Sequence, residues 1–241
     1  VVQNHGSIGG GWLNTANSSF GTISGGRRNS VHGASAFIGA GSDGRALAAY
    51  SVVVGGSSNS ALATYAIVTG GSSNTASGDY SFIGGGNQNY ASAYSAVVGG
   101  SANTADSVKA IVGGGWRNSV SGDYATIVGG TRNVATKRGA FIGGGADHEI
   151  WAEFAVVAGG AENGIINASH STISGGYRNM LIGDSSSTYG TIGGGSNNHL
   201  SGVHAVIAGG LSNIASGSRS TVGGGWRNTA TTLVATISGG Y

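Results

Sequence analysis

Sixteen isoleucines or valines recur about every fifteen residues along this 241-residue chain, each followed one residue later by a glycine pair, with Ala40-Gly41 standing for the pair after Ile38. A fixed period this short makes each unit one turn of a coil that touches only its neighbours, the signature of a solenoid. Helix is excluded by the same punctuation, because consecutive glycines cost a helix about 1 kcal/mol each. Strands remain, with side chains alternating between the two faces.

The Ile/Val column, from Ile8, Ile23 and Ile38 to Ile207, Val222 and Ile237, reads as the core. Two residues before it stands Ala, Ser or Gly, as at Ala36, Ser51, Ala66, Ser220 and Ala235, which only a narrow interior requires. An Asn column runs from Asn14, Asn29 and Asn59 to Asn213 and Asn228, with Gly44 and His148 replacing Asn in two coils. Two residues past it lies a second apolar column of mostly small residues (Ala16, Val31, Ala61, Ala76, Val120, Ile150, Leu200, Ala215), the inward position of a facing strand. The expected fold is all-β, a parallel β-roll or β-solenoid. It has about sixteen 15-residue coils of two short strands and two turns, forming one repeat domain over residues 1–241. The glycine pair suits a turn needing positive φ. Asn suits either a left-handed turn position or an amide ladder between stacked copies. The absence of proline fits strands paired on both sides.

Period changes mark the exceptions. The Asn spacing falls to 14 before Asn103 and rises to 16 and then 19 around Asn179 and Asn198. The insertion near 183–189, Gly183-Asp184-Ser185-Ser186-Ser187-Thr188-Tyr189, is a loop and so a natural contact site.

Composition narrows the partners. Charged residues make up 8% of the chain and the net charge is +2, which argues against nucleic acid. No apolar run approaches the roughly 20 residues of a membrane span, so no membrane insertion is expected in this segment. With no cysteine, disulfides are excluded. A start at Val1 reads as a fragment or a processed form, with any export signal, anchor or cap outside it.

The outward face of the Ile/Val strand is half apolar. Phe37, Val52, Ile67, Phe82, Ile111, Phe141 and Val156 occupy its leading position, and Val54, Val98, Val128 and Ala158 its trailing one. Such a stripe exceeds the apolar patch a soluble monomer normally shows, and parallel sheets normally have both faces covered. These residues are therefore the expected interface of a homo-oligomer.

The units Ser77-Gly78-Asp79-Tyr80-Ser81-Phe82-Ile83-Gly84-Gly85-Gly86, Ser121-Gly122-Asp123-Tyr124-Ala125-Thr126-Ile127-Val128-Gly129-Gly130 and Ala215 to Gly225 resemble the A-x-G-x-x-S-x-A-I/V-G repeats of YadA-like trimeric autotransporter adhesin heads. Related repeats occur in some phage tail fibres. The resemblance extends over essentially the full length, although the glycine pair and the Asn column are heavier here. It implies a left-handed parallel β-roll, three chains around one axis, and a role in attachment.

Candidate chemistry is sparse. The densest ionisable cluster, Asp147, His148, Glu149 and Glu153 with Trp151, matches no zinc spacing and reads as a decorated turn. No metal, cofactor or catalytic site is expected. Just before the Asn column stand Arg28, Arg117, Arg132, Arg178 and Arg227, with Trp116, Tyr177 and Trp226 preceding three of them. Rings beside arginines suit a glycan-binding edge, so Trp116, Arg117, Tyr177, Arg178, Trp226 and Arg227 are the candidate ligand-binding residues; cation–π stacking alone is the alternative. On the opposite turn Phe20, Tyr50, Tyr65, Tyr80, Tyr94, Tyr124, Phe154 and Tyr189 form a second ring column, loosely matched by His170 and His204. Asn17-Ser18-Ser19 and Asn167-Ala168-Ser169 match the N-glycosylation pattern.

The expected function is a non-enzymatic fibre or adhesin segment on a cell or virion surface. It acts as an extracellular homotrimer that attaches to cell-surface glycans or matrix proteins by repeated weak contacts. The alternatives are a tail fibre with an associated glycan-cleaving activity, for which Glu149 and Glu153 are the acidic pair, and an ice-binding solenoid, whose Thr ranks are here broken by Phe, Val and Ile.

Overall fold

A computed structural model describes residues 5–184 and 188–241. The chain is all-β, with short parallel strands stacked into a β-solenoid of about fifteen turns and no helix among the described residues. It divides into two compact units, Val1–Asn118 and Ser119–Tyr241. Ser185, Ser186 and Ser187 of the predicted insertion lie outside the described residues.

In the first unit the Ile/Val strands form one parallel ladder. Strand Phe37–Ile38 pairs with Thr22–Ile23 before it and Val52–Val53 after it, so that Ile23, Ile38 and Val53 stand in register. The facing ladder repeats the arrangement with Ser30–Val31, Arg45–Ala46 and Ser60–Ala61. A third ladder of single-residue bridges runs through Trp12, Arg27, Ser42, Ser57 and Ser72, one residue past the glycine turn. Pairing that is one residue long leaves no alternation to read, so the two-strand coil expected from sequence gains a third side. Each ladder amide donates to the following coil, as Phe37 N–H does to the Ser51 carbonyl (2.9 Å) and Ser42 N–H to that of Gly56 (2.9 Å).

The interior is as narrow as the small-residue column requires. Ala36, Ile38, Ala46, Ser51, Val53 and Ala61 are all buried, and burying an Ile or Val side chain contributes roughly 1.5–3 kcal/mol. The Asn column is also buried from Asn29 to Asn213 and takes the ladder role of the two open from sequence, bracing its own turn as well. Asn74 Nδ2 donates to the Gly70 carbonyl of its own turn (2.9 Å) and to the Gly86 carbonyl of the next coil (3.0 Å). Its Oδ1 accepts the backbone N–H of Asn89 (3.0 Å). The left-handed conformation falls on the preceding residue, Ser73 at φ 57° and Arg117 at φ 54° among them. Reversing the chain there turns the Asn inward and leaves its predecessor pointing out, which is why that position varies freely. The last glycine of the pair cannot vary: Gly71 has φ +84°, and a Cβ there would strike the Gly86 carbonyl. Where Gly44 replaces Asn, its N–H still takes the Asn29 Oδ1 (2.9 Å), but no side chain hands the bond onward.

The second unit repeats the plan, with Phe141–Ile142 between Thr126–Ile127 and Val156–Val157. Its facing ladder lengthens to three residues at Glu149–Trp151, Gly164–Ile166 and Met180–Ile182, where the period rises. The inward residues there, Ile150, Ile165 and Leu181, are larger than the usual Ala, as is Leu200 one coil on. Gly190 in the small column makes room, since a Cβ at Gly190 would lie 2.6 Å from Leu200 Cδ2 and 3.1 Å from Leu181 Cδ1.

Candidate functional site

The arginine-bearing turns present side chains outward because each arginine occupies the left-handed position before a buried Asn. In the first unit the Arg117 guanidinium lies 4.5 Å from the Trp116 ring centroid. In the second, Arg178 lies 4.9 Å from that of Tyr177 and Arg227 4.7 Å from that of Trp226. All six predicted ligand-binding residues are thus brought together in pairs, and each pair is internally engaged, the guanidinium occupying its neighbour's ring. Tyr241 also meets Trp226 edge-on at 4.6 Å.

Three of the five arginines on this edge pair with carboxylates. Arg28 pairs with Asp43 (2.8 Å), Arg132 with Asp147 (2.6 Å) and Arg178 with Glu162 (2.5 Å), each bridging successive coils. The Arg132 hydrogen bond holds the Asp147 carboxyl below its usual range. Exposed pairs of this kind add little to stability.

The opposite turn carries the second ring column, and its members also occupy the left-handed region. In the first unit Tyr50, Tyr65, Tyr80 and Tyr94 stack in sequence with centroids 4.9, 4.9 and 5.2 Å apart. In the second, Phe154, His170, Tyr189 and His204 stack at 5.3, 5.1 and 5.1 Å. The two histidines therefore belong to the column. Where Gly139 interrupts it, the Arg138 guanidinium spans the gap, 5.7 Å from the Tyr124 centroid and 5.8 Å from that of Phe154. Stacking covers the ring faces within these runs, leaving edges and hydroxyls to solvent.

The predicted interface residues lie on the outer face of the Ile/Val ladder. In the first unit Phe37, Val52, Ile67, Phe82, Ala96 and Ile111 follow one another in register. Phe82 and Ile111 are exposed, as are Val54 and Val98 beside them, while Phe37, Val52 and Ile67 are half-buried. In the second unit Phe141 is exposed and Val156 half-buried between Phe141 and Thr172.

The cluster that sequence grouped around residue 148 is taken apart by the strand pleat. His148 and Ile150 point inward while Glu149 and Trp151 both face outward, and these two border different grooves of the second unit. One, of about 220 Å³, is lined by Asp147, Glu149, Glu162, Asn163, Gly164, Ile166 and Met180. The other, of about 350 Å³, is lined by Lys137, Trp151, Ala152, Glu153, Asn167 and Ser169. Glu149 and Glu153 thus line different grooves. The larger one arises where the coil gains a residue: the Asn167 amide donates to Trp151 (3.2 Å) and that of His170 to Glu153 (3.0 Å), and the extra residue between them widens the ledge. Sequence reasoning noted Trp151 and the period change but not that they coincide in space.

His148 faces inward, in the Asn column. Its N–H donates to Asn133 Oδ1 (3.0 Å) and its Nδ1 accepts from the Asn163 amide (3.1 Å), so in the neutral ring Nε2 carries the proton. That Nε2 is buried with no hydrogen-bond partner, and burial pushes the imidazole below its ordinary range. Among the described residues no three His, Cys, Asp or Glu side chains gather as a metal site needs, and no helix is long and apolar enough to cross a membrane.

Compared with known proteins, the chain matches no protein-family model and no curated protein at the level of sequence.

Proposed function

We propose that this chain is a non-enzymatic structural segment of an extracellular fibre or adhesin, on a cell or virion surface. In this reading it assembles as a homotrimer and mediates attachment to cell-surface glycans or matrix proteins. The observation that carries the reading is the registered apolar stripe on the outer face of the Ile/Val ladder, with Phe82, Ile111, Val54 and Val98 open to solvent in a single chain. A parallel sheet calls for cover on both faces, and sister subunits supply it at about 25 cal/mol per Å² of apolar surface removed from water. The likeness to YadA-like adhesin head repeats, in the units Ser77 to Gly86 and Ser121 to Gly130, supports three chains and a left-handed winding. Stiff coils with ladders on three sides then hold identical turns at fixed spacing, and contacts too weak to act singly add through avidity. Trp116, Arg117, Tyr177, Arg178, Trp226 and Arg227 are the edge offered to glycans in this reading, through guanidinium donors backed by rings.

A glycan-cleaving fibre would need two carboxylates about 5 to 10 Å apart across one sugar linkage. The separation of Glu149 and Glu153 into different grooves favours the non-enzymatic reading. Ice binding would need unbroken Thr ranks, whereas Thr172 and Thr191 pair with each other between Val156 and Val206. Sedimentation equilibrium tests the proposal: a trimer that survives dilution is expected, and a monomer at every concentration would sink it. Glycan-array binding, compared with a Trp116→Ala/Trp226→Ala variant, then separates a ligand-binding edge from a bare scaffold.

A further inference from the structure

The four tryptophans differ in what occupies their ring faces, and of the two with no ring or guanidinium contact among the described residues, Trp12 and Trp151, only Trp151 borders either of the two grooves. Those of Trp116 and Trp226 carry the guanidiniums of Arg117 and Arg227. Trp151, exposed on the second unit's facing ladder, has no ring or guanidinium partner among the described residues. It also lines the larger groove, whose volume of about 350 Å³ falls at the lower end of the range typical of small-ligand sites.

The groove's polar residues are equally uncommitted. The backbones of Glu153, Asn167 and Ser169 take part in coil-to-coil hydrogen bonds. Among the described residues, however, the side chains of Lys137, Glu153, Asn167 and Ser169 form no hydrogen bond or ion pair with the rest of the chain. An open indole face is thus surrounded by an ammonium, a carboxylate, an amide and a hydroxyl, on a rigid three-residue strand whose next coil is displaced by its extra residue. Lys137 and Glu153 cancel in charge, which disfavours a strongly ionic ligand.

We infer that this groove is a binding site for a neutral saccharide. The C–H face of a pyranose ring is apolar and lies flat on an indole, while its hydroxyls project sideways and both donate and accept. Glu153 and the Asn167 carbonyl oxygen accept from those hydroxyls. Lys137, the Asn167 amide and the Ser169 hydroxyl donate to them. Charged partners strengthen such bonds, and the mixture of donors and acceptors matches a polyol better than an anion or an apolar body. The site lies on the facing ladder, away from the Ile/Val sheet through which subunits are proposed to meet. It rests on the attachment reading only for its biological sense, and saccharide binding and subunit number are measured separately.

Saturation-transfer NMR on the intact chain with lactose, cellobiose and N,N′-diacetylchitobiose as probes tests the inference. Transfer to the ring protons of at least one disaccharide is expected, reduced about tenfold or more by Trp151→Ala and unchanged by Leu233→Ala, an exposed residue outside both the groove and the arginine edge. Because Trp151 is exposed, the variant is expected to unfold at the same temperature as the parent. Should it not, Asn167→Ala and Glu153→Gln, also exposed, must each weaken transfer severalfold. Absence of transfer from all three probes, or transfer that survives both Trp151→Ala and the polar substitutions, would overturn the inference. Loss of binding on Trp116→Ala would place the saccharide on the arginine edge instead.

Discussion

His148 shows how far one side chain can depart from its column and still be accommodated. In neighbouring coils the Asn amide reaches two glycine carbonyls, as Asn163 does with Gly159 (3.1 Å) and Gly176 (3.0 Å). The His148 backbone N–H keeps the bond to Asn133 and the imidazole Nδ1 the one from Asn163, but Nε2 is left unpaired in the interior. A buried donor without a partner costs about 1–3 kcal/mol, so His148→Asn is expected to raise stability by about that amount in chemical denaturation. Burial lowers the imidazole pKa in the folded state, so the unfolded chain binds the proton more readily. Stability from this residue is therefore complete above the unfolded value of about 6.5 and declines as pH falls through it. Denaturation midpoints measured between about pH 7 and pH 5 should fall for the parent and fall less for the variant. Equal slopes would show that His148 is not buried as a neutral ring.

At the scale of one turn, the amide column does work that neither strand performs. Asn198 donates to Gly194 and Gly210 (3.0 Å each) and to Asn179 Oδ1 (3.0 Å), while accepting the Asn213 N–H (3.0 Å). Asn198→Ala strips partners from buried backbone groups in two successive coils and is expected to cost about 3 kcal/mol, more than a typical surface change. Hydrogen exchange would locate the effect, with the amides of Asn213 and its neighbours losing protection first. The charged residues on the same turn have no such leverage, since exchanging an exposed pair such as Arg28 and Asp43 alters little.

On the scale of the whole molecule, the decisive quantity for the proposed assembly is the apolar area on the outer sheet face. Ile67 and Phe82 lie side by side in register in the first unit, and replacing both with Ser leaves the inward Val68 and Ile83 untouched. The double variant is expected to keep its β-sheet circular dichroism while sedimenting as a smaller species than the parent, with a dissociation constant raised more than a hundredfold, on the order of 3 kcal/mol. Unchanged sedimentation would show that this face is not where chains meet.

Much of the chain was legible before any coordinates. A period near fifteen, glycine punctuation and alternation about Ile and Val dictate parallel coils, an Ile/Val core and a narrow interior, because each rests on spacing within one or two repeats. What spacing does not encode is how successive coils face one another. The third ladder and the single residue before each Asn that takes the left-handed conformation follow from the buried amide reaching into the next coil. Stacking decided that the rings of Trp116, Tyr177 and Trp226 are occupied by their own arginines while that of Trp151 is not. The splitting of Glu149 from Glu153 and the groove beside Trp151 also belong to tertiary structure, since one added residue in a coil displaces its neighbours only once the coils are laid on each other.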